Sequence, residues 1–435
     1  LIPVDQNLML MISRENGRQQ LIAANVVEAL KTCVSFQTIA THAARICAMM
    51  PALKGQDAAV AQTLRQLTEG GFLLRASTIR ERMKVEGETK IPPPVRVFLI
   101  TCDRPQQLER LLDSMLHASG LAAYEGLYLI DDSRDPANQE ANQRLLERFN
   151  TSSAKNFDYL GVQEQDELLD RLVNEFPQHE AGIRFLIDRD AWTGHPTYGR
   201  ARTIALLNSM GRRLIVLDDD ILCQAVAPAV PEEGVFVASN GLREASFFSD
   251  REALLAARLP LQESPLDLHA KHLGKSLGEC LDSLCEGEVP EQALLDGNAA
   301  MANIWSAESP VLATQCGAWG DPGIGNAHWI LNLSEHSISR LLTAAKGISA
   351  AVEDRNVWLG APRYSILKTA FMSQMTGLDN SALLPPYFTA FRGEDILFAS
   401  MVETIHPRAA VLECGFAVPH LTENPRINGF LGESI

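Results

Sequence analysis

The feature that most constrains this chain is a short apolar run that ends in three consecutive carboxylates, in the sequence Arg212-Arg213-Leu214-Ile215-Val216-Leu217-Asp218-Asp219-Asp220. Four apolar residues are too few for a helix, and their β-branched content predicts a buried parallel strand. Open α/β sheets bind ligands just beyond the carboxyl ends of their strands. Adjacent acids at that place repel one another unless a positive group lies among them, and a divalent cation commonly fills this role. A solvated acidic turn is the alternative interpretation.

Composition restricts the class of protein. The chain has 435 residues, of which 46% are hydrophobic, enough for a large core in about two or three domains. Its formal net charge of −16 argues against a broad nucleic-acid-binding surface but permits an anionic ligand held through a metal. The eight cysteines include no Cys-x-x-Cys pair, which predicts reduced thiols in a cytoplasmic protein. No apolar run reaches the length of a transmembrane helix, so we expect no membrane span.

Residues 1–90 predict a small, mainly helical domain. Residues 7–13 are strand-like, and Asn16-Gly17 predicts the turn of a hairpin. Apolar residues at helical spacing predict three helices before Gly70-Gly71, and residues 72–74 predict a short strand. A strand, three helices and a terminal strand pair are typical of a winged helix.

A linker and a second domain are predicted after that. Residues 91–94 (Ile91-Pro92-Pro93-Pro94) predict a stiff linker, because consecutive prolines favour an extended chain. The second domain then comprises residues 95–435. Its strand-like stretches, beginning with residues 95–101 and 126–130, alternate with helical ones, which predicts a doubly wound α/β sheet.

Local features of this second domain give further expectations. Asp103 is a candidate N-cap for a helix that has Pro105 in its first turn. One face of that helix should cover the sheet with Leu108, Leu111, Leu112, Met115 and Leu116. Residues 185–188 and 409–413 predict further strands. Residues 298–326 are rich in Gly, Ala and Trp and predict an irregular loop that could line an acceptor pocket.

Several of these patterns together resemble family-2-type glycosyltransferases with the GT-A fold. The four that occur in the matching order are strand then Thr101-x-Asp103-Arg104-Pro105, strand then Asp131-Asp132-Ser133, Arg200-Ala201-Arg202 on a helix, and strand then Asp218-x-Asp220. Thr203 departs from the pattern, because an Asn commonly follows the helix arginine in that family. The first 90 residues resemble the small PqqD-like domains that hold precursor peptides of modified natural products.

A fifth pattern resembles the acceptor-side motif of the same transferases. It is Arg392-Gly393-Glu394-Asp395-Ile396, in which paired acids open a helix. Carboxylates at a helix N-terminus are favoured by its dipole and stay ionised, as a general base must. An ordinary helix cap is the alternative. A His at the place of His420, after the last predicted strand, often completes the metal site in this family.

The resemblance implies a GT-A type mixed sheet with a nucleotide-binding half at residues 95–225 and an acceptor half at residues 226–435. It implies metal-dependent, inverting transfer of a sugar from a nucleotide-diphosphate sugar to an acceptor, with Asp395 and Glu394 as the catalytic pair. Mn²⁺ or Mg²⁺ would be held by Asp218, Asp220 and His420. The implied donor-binding residues are Thr101, Asp103, Arg104, Asp131, Asp132, Arg202, Asp218 and Asp219.

Two other functions compete with this one. A sugar-nucleotide nucleotidylyltransferase shares the α/β start but needs a Gly-rich phosphate loop, and that place holds Thr101-Cys102-Asp103-Arg104-Pro105. A non-catalytic sugar-nucleotide or peptide-binding protein could also use a transferase scaffold. The N-terminal domain either presents a peptide acceptor or is a structural cap.

Overall fold

The computed structural model describes residues 1–13, 16–85, 91–118, 120–324, 326–370 and 372–422. Within them the chain forms a large mixed sheet and a small antiparallel sheet, with helices around both. The strands are β1 (Ile2–Pro3), β2 (Leu8–Ile12), β3 (Gln19–Ala23), β4 (Val95–Thr101), β5 (Gly126–Asp131), β6 (Phe157–Leu160), β7 (Arg213–Asp218), β8 (Val235–Phe236), β9 (Glu244–Phe247), β10 (Val311–Gly320), β11 (Val357–Gly360), β12 (Tyr364–Leu367), β13 (Met375–Asp379) and β14 (Ala410–His420).

The helices connect and cover these strands. They are α1 (Ala24–Leu30), α2 (Ile39–Met49), α3 (Asp57–Glu69), α4 (Ala76–Arg82), α5 (Pro105–Leu116), α6 (Pro136–Ser152), α7 (Val162–Glu175), α8 (Glu180–Ile187), α9 (Arg200–Leu207), α10 (Arg251–Ala256), α11 (Pro265–Ala270), α12 (Leu277–Cys285), α13 (Ala299–Ala302), α14 (Glu335–Leu342), α15 (Ile348–Glu353) and α16 (Glu394–Ile405). Short 3-10 helices lie at Pro51–Leu53, Leu121–Ala123, Pro177–His179, Asp190–Trp192, Glu291–Leu294, Ala327–Asn332 and Asn380–Ala382. Among the described residues, no helix has both the length and the apolar character needed to cross a membrane.

The large sheet confirms the prediction of a mixed α/β fold. Nine of its strands follow the order β6-β5-β4-β7-β13-β10-β14-β12-β8, and β11 pairs with β10 and β9. The neighbours β6, β5, β4 and β7 are parallel, as the alternation of strands and helices predicts. β13 is antiparallel to both β7 and β10, and β14 is parallel to β10. β7, which ends in the acid triplet, therefore lies inside the sheet between β4 and β13.

Helix α5 covers one face of the sheet with the predicted apolar stripe. Leu108, Leu111, Leu112 and Met115 are buried in one core cluster with side chains of β4 and β7. Leu116, the last residue of the helix, is exposed instead, so that part of the predicted stripe was wrong.

Two element predictions after residue 94 were wrong for different physical reasons. Residues 185–188 form no strand, because Ile183, Leu186 and Ile187 recur at helical spacing and pack one face of α8 into the core. The predicted loop at residues 298–326 contains β10, a strand buried at every position between β13 and β14. Its small residues permit close packing: a Cβ on Gly317 would lie 2.8 Å from the carbonyl oxygen of Leu359.

The N-terminal segment combines a small sheet with helices. The predicted hairpin is confirmed, since β2 and β3 are antiparallel neighbours on either side of Asn16-Gly17, and β1 adds a third strand. Residues 72–74 form no strand, so the described residues contain no terminal strand pair of a winged helix. Residues 86–90, which end the predicted first domain, lie outside the described residues, as do residues 423–435.

This segment also packs into the main body of the protein. Ile79 and Met83 belong to the same core cluster as α5 and β4. The backbone N–H of Phe36 donates to the carbonyl oxygen of Gly297 at 2.9 Å. The backbone N–H of Asp296 donates to the carbonyl oxygen of Phe36 at 3.0 Å. The domain boundary at residues 91–94 therefore stays a prediction, and removing everything before it would open the main core.

Two histidines are fully buried near β10. His269 shares a hydrogen bond of 2.8 Å between its Nδ1 and Oγ1 of Thr314. Burial lowers the pKa of His269 to about 3 and that of His272 to about 4. Both rings are thus neutral in the folded protein, whereas an unfolded chain would protonate them near pH 6.5.

We therefore expect the free energy of unfolding to fall as the pH drops from about 6.5 toward 4, by up to ~1.4 kcal/mol per pH unit for each histidine. The sign follows because the unfolded chain binds more protons in this window. His269→Gln keeps a polar partner for Thr314 but removes one titrating group, so urea unfolding at several pH values should give a shallower slope. An unchanged slope would contradict the assignment.

Candidate metal and nucleotide site

The backbone after β7 places the acid triplet beside the end of β14. The N–H of Leu421 donates to the carbonyl oxygen of Asp220 at 3.1 Å, and the N–H of Leu222 donates to that of Pro419 at 2.9 Å. These bonds continue the sheet for one short step beyond β7. His420, the last residue of β14, therefore lies next to Asp220.

Asp220 and His420 form a buried polar pair. Nε2 of His420 lies 3.1 Å from Oδ1 of Asp220, and both residues are 3% exposed. Nδ1 of His420 donates to the carbonyl oxygen of Asp321 at 2.6 Å. In the neutral ring Nε2 then carries the lone pair, which faces a carboxylate oxygen, so either a proton or a cation must be shared between them. Burial works against protonation, but the charge of Asp220 raises the pKa of His420 above 6.5.

Arg104 supplies positive charge to the triplet. Its Nη2 lies 2.6 Å from Oδ1 of Asp219, and its Nη1 lies 3.1 Å from Oδ2 of Asp220. Oγ1 of Thr101 donates to Oδ2 of Asp219 at 2.7 Å. Burial raises the pKa of Asp219 to about 7, although Arg104 opposes the rise. The expectation that a positive group lies among the acids is met in part by the protein's own arginine.

Asp218 faces a different partner from its two neighbours. Nη2 of Arg202, on α9, lies 2.7 Å from Oδ1 of Asp218 and donates to the carbonyl oxygen of Ser373 at 3.2 Å. The guanidinium carbon lies 5.9 Å from the ring centroid of Tyr387. Nη1 of Arg202 is buried and has no hydrogen-bond partner within the described parts of the chain. This nitrogen could therefore donate a hydrogen bond to a ligand.

The paired acids of α16 are connected to this arginine. Oγ of Ser373 donates to Oδ2 of Asp395 at 3.1 Å, so Ser373 contacts both Arg202 and the start of α16. The paired acids open a helix as predicted, and the helix already begins at Glu394. Glu394 is largely buried, which raises its pKa above 4.5, and its Oε2 has no hydrogen-bond partner among the residues described.

The carboxylate of Asp131 stabilises the loop after β5 rather than facing a cleft. It is fully buried and accepts hydrogen bonds of 2.9 Å from the N–H of Ser133, Nδ2 of Asn142 and the hydroxyl of Tyr159. The prediction that Asp131 contacts the donor stays a prediction, and these three hydrogen bonds hold its carboxylate inside the protein.

Asp132 is likewise engaged by the protein. Its Oδ1 lies 2.6 Å from Nη1 of Arg200 and 3.4 Å from Nη2 of Arg189, and its Oδ2 accepts from Oγ1 of Thr197 at 3.1 Å. Arg200 is itself buried and also donates to the carbonyl oxygen of Ile187 at 2.7 Å. Asp132 thus anchors α9 and its preceding loop to the end of β5.

Asp103 does not cap α5, contrary to expectation. The N-cap residue is Arg104, and Pro105 begins the helix as predicted. The carboxylate of Asp103 instead accepts the backbone N–H groups of Arg134 and Asp135, at 3.1 and 3.0 Å. Burial raises the pKa of Asp103, but these bonds outweigh it and the net shift is downward. Asp103 therefore ties the loop after β4 to the loop after β5.

The side chains at this site fit a cation that completes its coordination with atoms of a bound ligand. Within the described residues, no three or more His, Cys, Asp or Glu side chains are arranged to hold a metal ion by themselves. Asp220 and His420 provide two donors, whereas Asp218, predicted as a third, is paired with Arg202. Mg²⁺ is commonly bound through one or two carboxylates plus substrate phosphates and water. The residues present thus fit such a site but not a closed protein cage.

Two residues behind His420 were not predicted from the sequence. Asp321 follows β10, and Arg355 precedes β11; they form a buried bidentate ion pair with N–O distances of 2.6 and 2.7 Å. Asp321 follows a Gly- and Trp-rich stretch that predicted a loop, and Arg355 lies in no recognisable motif.

Comparison with known proteins gives weak similarities. No family model matches the sequence, and no curated protein matches it. A mannosyltransferase, PcManGT from Pyrobaculum calidifontis, solved with GDP-Man and Mn²⁺, is 10% identical with a TM-score of 0.30; the match covers 78% of this chain and 62% of that chain. Glucosyl-3-phosphoglycerate synthase from Mycobacterium tuberculosis, solved with Mn²⁺, UDP and glucosyl-3-phosphoglycerate, is 10% identical with a TM-score of 0.31; that match covers 81% and 77%. At such values the similarity alone establishes neither activity nor ligand.

Proposed function

We propose that this protein is a metal-dependent, inverting glycosyltransferase of the GT-A type that transfers a sugar from a nucleotide-diphosphate sugar to an acceptor. The observation that carries the proposal is the pair formed by Asp220 and His420, 3.1 Å apart at the carboxyl end of an interior strand. Open α/β sheets bind ligands at that edge. A carboxylate and an imidazole side by side there suit Mn²⁺ or Mg²⁺ that is shared with a diphosphate.

The residues around this pair have separate tasks in the proposed reaction. A bound divalent ion would act as a Lewis acid on the leaving diphosphate. Arg104, which is partly exposed, adds positive charge beside the phosphates. Asp219, which accepts a hydrogen bond from Thr101, holds it in place. Arg202 is fixed by Asp218 and offers Nη1 to the donor.

Asp395 is the proposed general base for the acceptor. It lies in the first turn of α16, where the helix dipole favours negative charge. Its link through Ser373 to Arg202, the residue proposed to contact the nucleotide sugar, supports this role. In-line attack by the deprotonated acceptor would invert the anomeric centre. Glu394 stands beside it as a buried carboxylate with a raised pKa.

One observation favours a second candidate, a sugar-nucleotide-binding protein that needs no metal. Arg104 already provides Asp219 and Asp220 with a cation, and a protonated His420 would satisfy the remaining contact. The two candidates differ in whether nucleotide binding depends on a divalent ion.

We expect Asp220→Asn and His420→Ala to weaken UDP or GDP binding by at least about tenfold in Mn²⁺ and to change it little in EDTA, because each removes one donor to the ion. Calorimetry with the full chain measures this, with Glu167→Gln on the exposed surface of α7 as the control. Equal nucleotide affinity for the parent in Mn²⁺ and in EDTA would favour the metal-free candidate.

Asp395→Asn keeps the shape of the side chain and removes its proton acceptor. Turnover should fall by about two to four orders of magnitude, with nucleotide affinity nearly unchanged, because a base acts in the transition state and not in donor binding. Glu394→Gln should be milder. If the order is reversed, with Glu394→Gln crippling and Asp395→Asn mild, Glu394 is the base.

We further propose that the N-terminal sheet captures a peptide acceptor along β3. β3 is an edge of that sheet and carries Leu21, which is 57% exposed, whereas the opposite edge strand β1 has only two residues. An unpaired edge can add a peptide strand, whose main-chain hydrogen bonds give affinity and whose side chains meet exposed apolar groups. The enzyme would then glycosylate a peptide.

A point substitution tests this better than a truncation, because Phe36, Ile79 and Met83 belong to the main core. Leu21→Lys should abolish binding of the full chain to an array of short peptides, since it removes the apolar contact on β3. Leu331→Lys, at an exposed leucine of the main body, is the matched control and should bind as the parent does. Equal binding by both variants, or no binding by the parent, would refute the capture role.

A further inference from the structure

We propose that Asp321 and Arg355 are positioning residues that hold His420 in the tautomer and orientation needed to bind the cation. The inference rests on the proposed function, because it takes His420 as a ligand. It goes beyond that function by assigning a role to a buried ion pair that the proposed reaction does not use.

Asp321 and His420 bond to each other in both directions. The N–H of Asp321 donates to the carbonyl oxygen of His420 at 2.9 Å, and Nδ1 of His420 donates to the carbonyl oxygen of Asp321 at 2.6 Å. The second bond places the proton on Nδ1 and leaves Nε2 to face Asp220. Metal-binding histidines commonly donate their other ring nitrogen to a carbonyl or carboxylate in this way.

Position 320 requires glycine, because the backbones of β10 and β14 lie very close together there. Gly320 pairs with His420 in the parallel β10–β14 ladder and has φ of 129°. A Cβ there would lie 2.3 Å from the carbonyl oxygen of His420. The chain therefore needs glycine at position 320 for Asp321 to form both hydrogen bonds with His420.

Arg355 fixes the loop that follows. Its Nε and Nη2 hold the two carboxylate oxygens of Asp321 at 2.7 and 2.6 Å, and Nη2 also donates to the carbonyl oxygen of Ile324 at 2.6 Å. The guanidinium thus binds both Asp321 and Ile324, the two ends of the turn. The carbonyl oxygen of Asp321 is the one that accepts the hydrogen bond from His420. Arg355 is buried and has φ of 54°, a left-handed conformation that a non-glycine residue keeps only where its surroundings enforce it.

The sheet explains why these distant residues meet. Val357 of β11 pairs with Gly320 of β10 in an antiparallel ladder, so Arg355, two residues before β11, lies close to Asp321, which follows β10. A lysine at position 355 would keep the positive charge. It could not donate hydrogen bonds in one plane to both carboxylate oxygens of Asp321 and to the carbonyl oxygen of Ile324. Arg355→Lys therefore loosens the turn without leaving a buried carboxylate unpaired.

The experiment measures Mn²⁺ affinity of the full chain by electron paramagnetic resonance of free Mn²⁺, for Arg355→Lys in the parent and in His420→Ala. We expect Arg355→Lys to weaken Mn²⁺ binding by about tenfold in the parent and to have no further effect in His420→Ala, since its action passes through that ring. Arg243→Lys, which alters the buried pair of Arg243 with Glu413 earlier on β14, is the matched control and should leave Mn²⁺ affinity unchanged.

A second measurement needs no metal. Nitrogen NMR of ¹⁵N-histidine-labelled protein, at a pH where His420 is neutral, should show the Nδ1–H tautomer in the parent and a mixture in Arg355→Lys, or in Asp321→Asn should the first variant not fold. An unchanged tautomer, or equal weakening of Mn²⁺ binding with and without His420, overturns the positioning role. If the parent shows the tautomer but binds no Mn²⁺, the proposed metal site fails while the positioning of the ring stands.

Discussion

Charge compensation at the end of β7 is the constraint on which the rest of the site depends. Three adjacent carboxylates are largely removed from water there, and an uncompensated buried charge would cost several kcal/mol or more. Arg104, Arg202 and His420 each approach one or two of the acids. They come from the loop after β4, from α9 and from the end of β14. The buried triplet therefore depends on the loop after β4, on α9 and on the end of β14.

Strand order makes this convergence possible. β4 lies directly beside β7, so the loop that follows β4 brings Thr101 and Arg104 over the acids. β14 is not a neighbour of β7 in the sheet, and it reaches the site only because residues 220–222 leave β7 and pair with its last residues. A chain segment only three residues long thus joins the end of β7 to the strand that carries His420.

The sequence predicted the regular elements better than the roles of individual side chains. β4, β5, β7 and α5 follow from apolar runs and helical stripes, because burial imposes those periods directly. β10 escaped prediction because Gly and Ala in it serve close strand packing, which resembles loop composition. The motifs also contain three aspartates whose carboxylates bind other groups of the protein, namely Asp103, Asp131 and Asp132. No local pattern could reveal Arg355, which meets Asp321 through the pairing of two strands.

Under the proposed function, Arg104 and a divalent ion would both offset the negative charge of the acid triplet, and they would contact different oxygens of Asp220. Arg104 approaches Oδ2 of Asp220, whereas Nε2 of His420 faces Oδ1 of the same carboxylate. In the proposed function, Asp220 and His420 would hold a divalent ion, and that ion would supply positive charge for a bound diphosphate. Arg104, on the other oxygen of Asp220, would add a further cation.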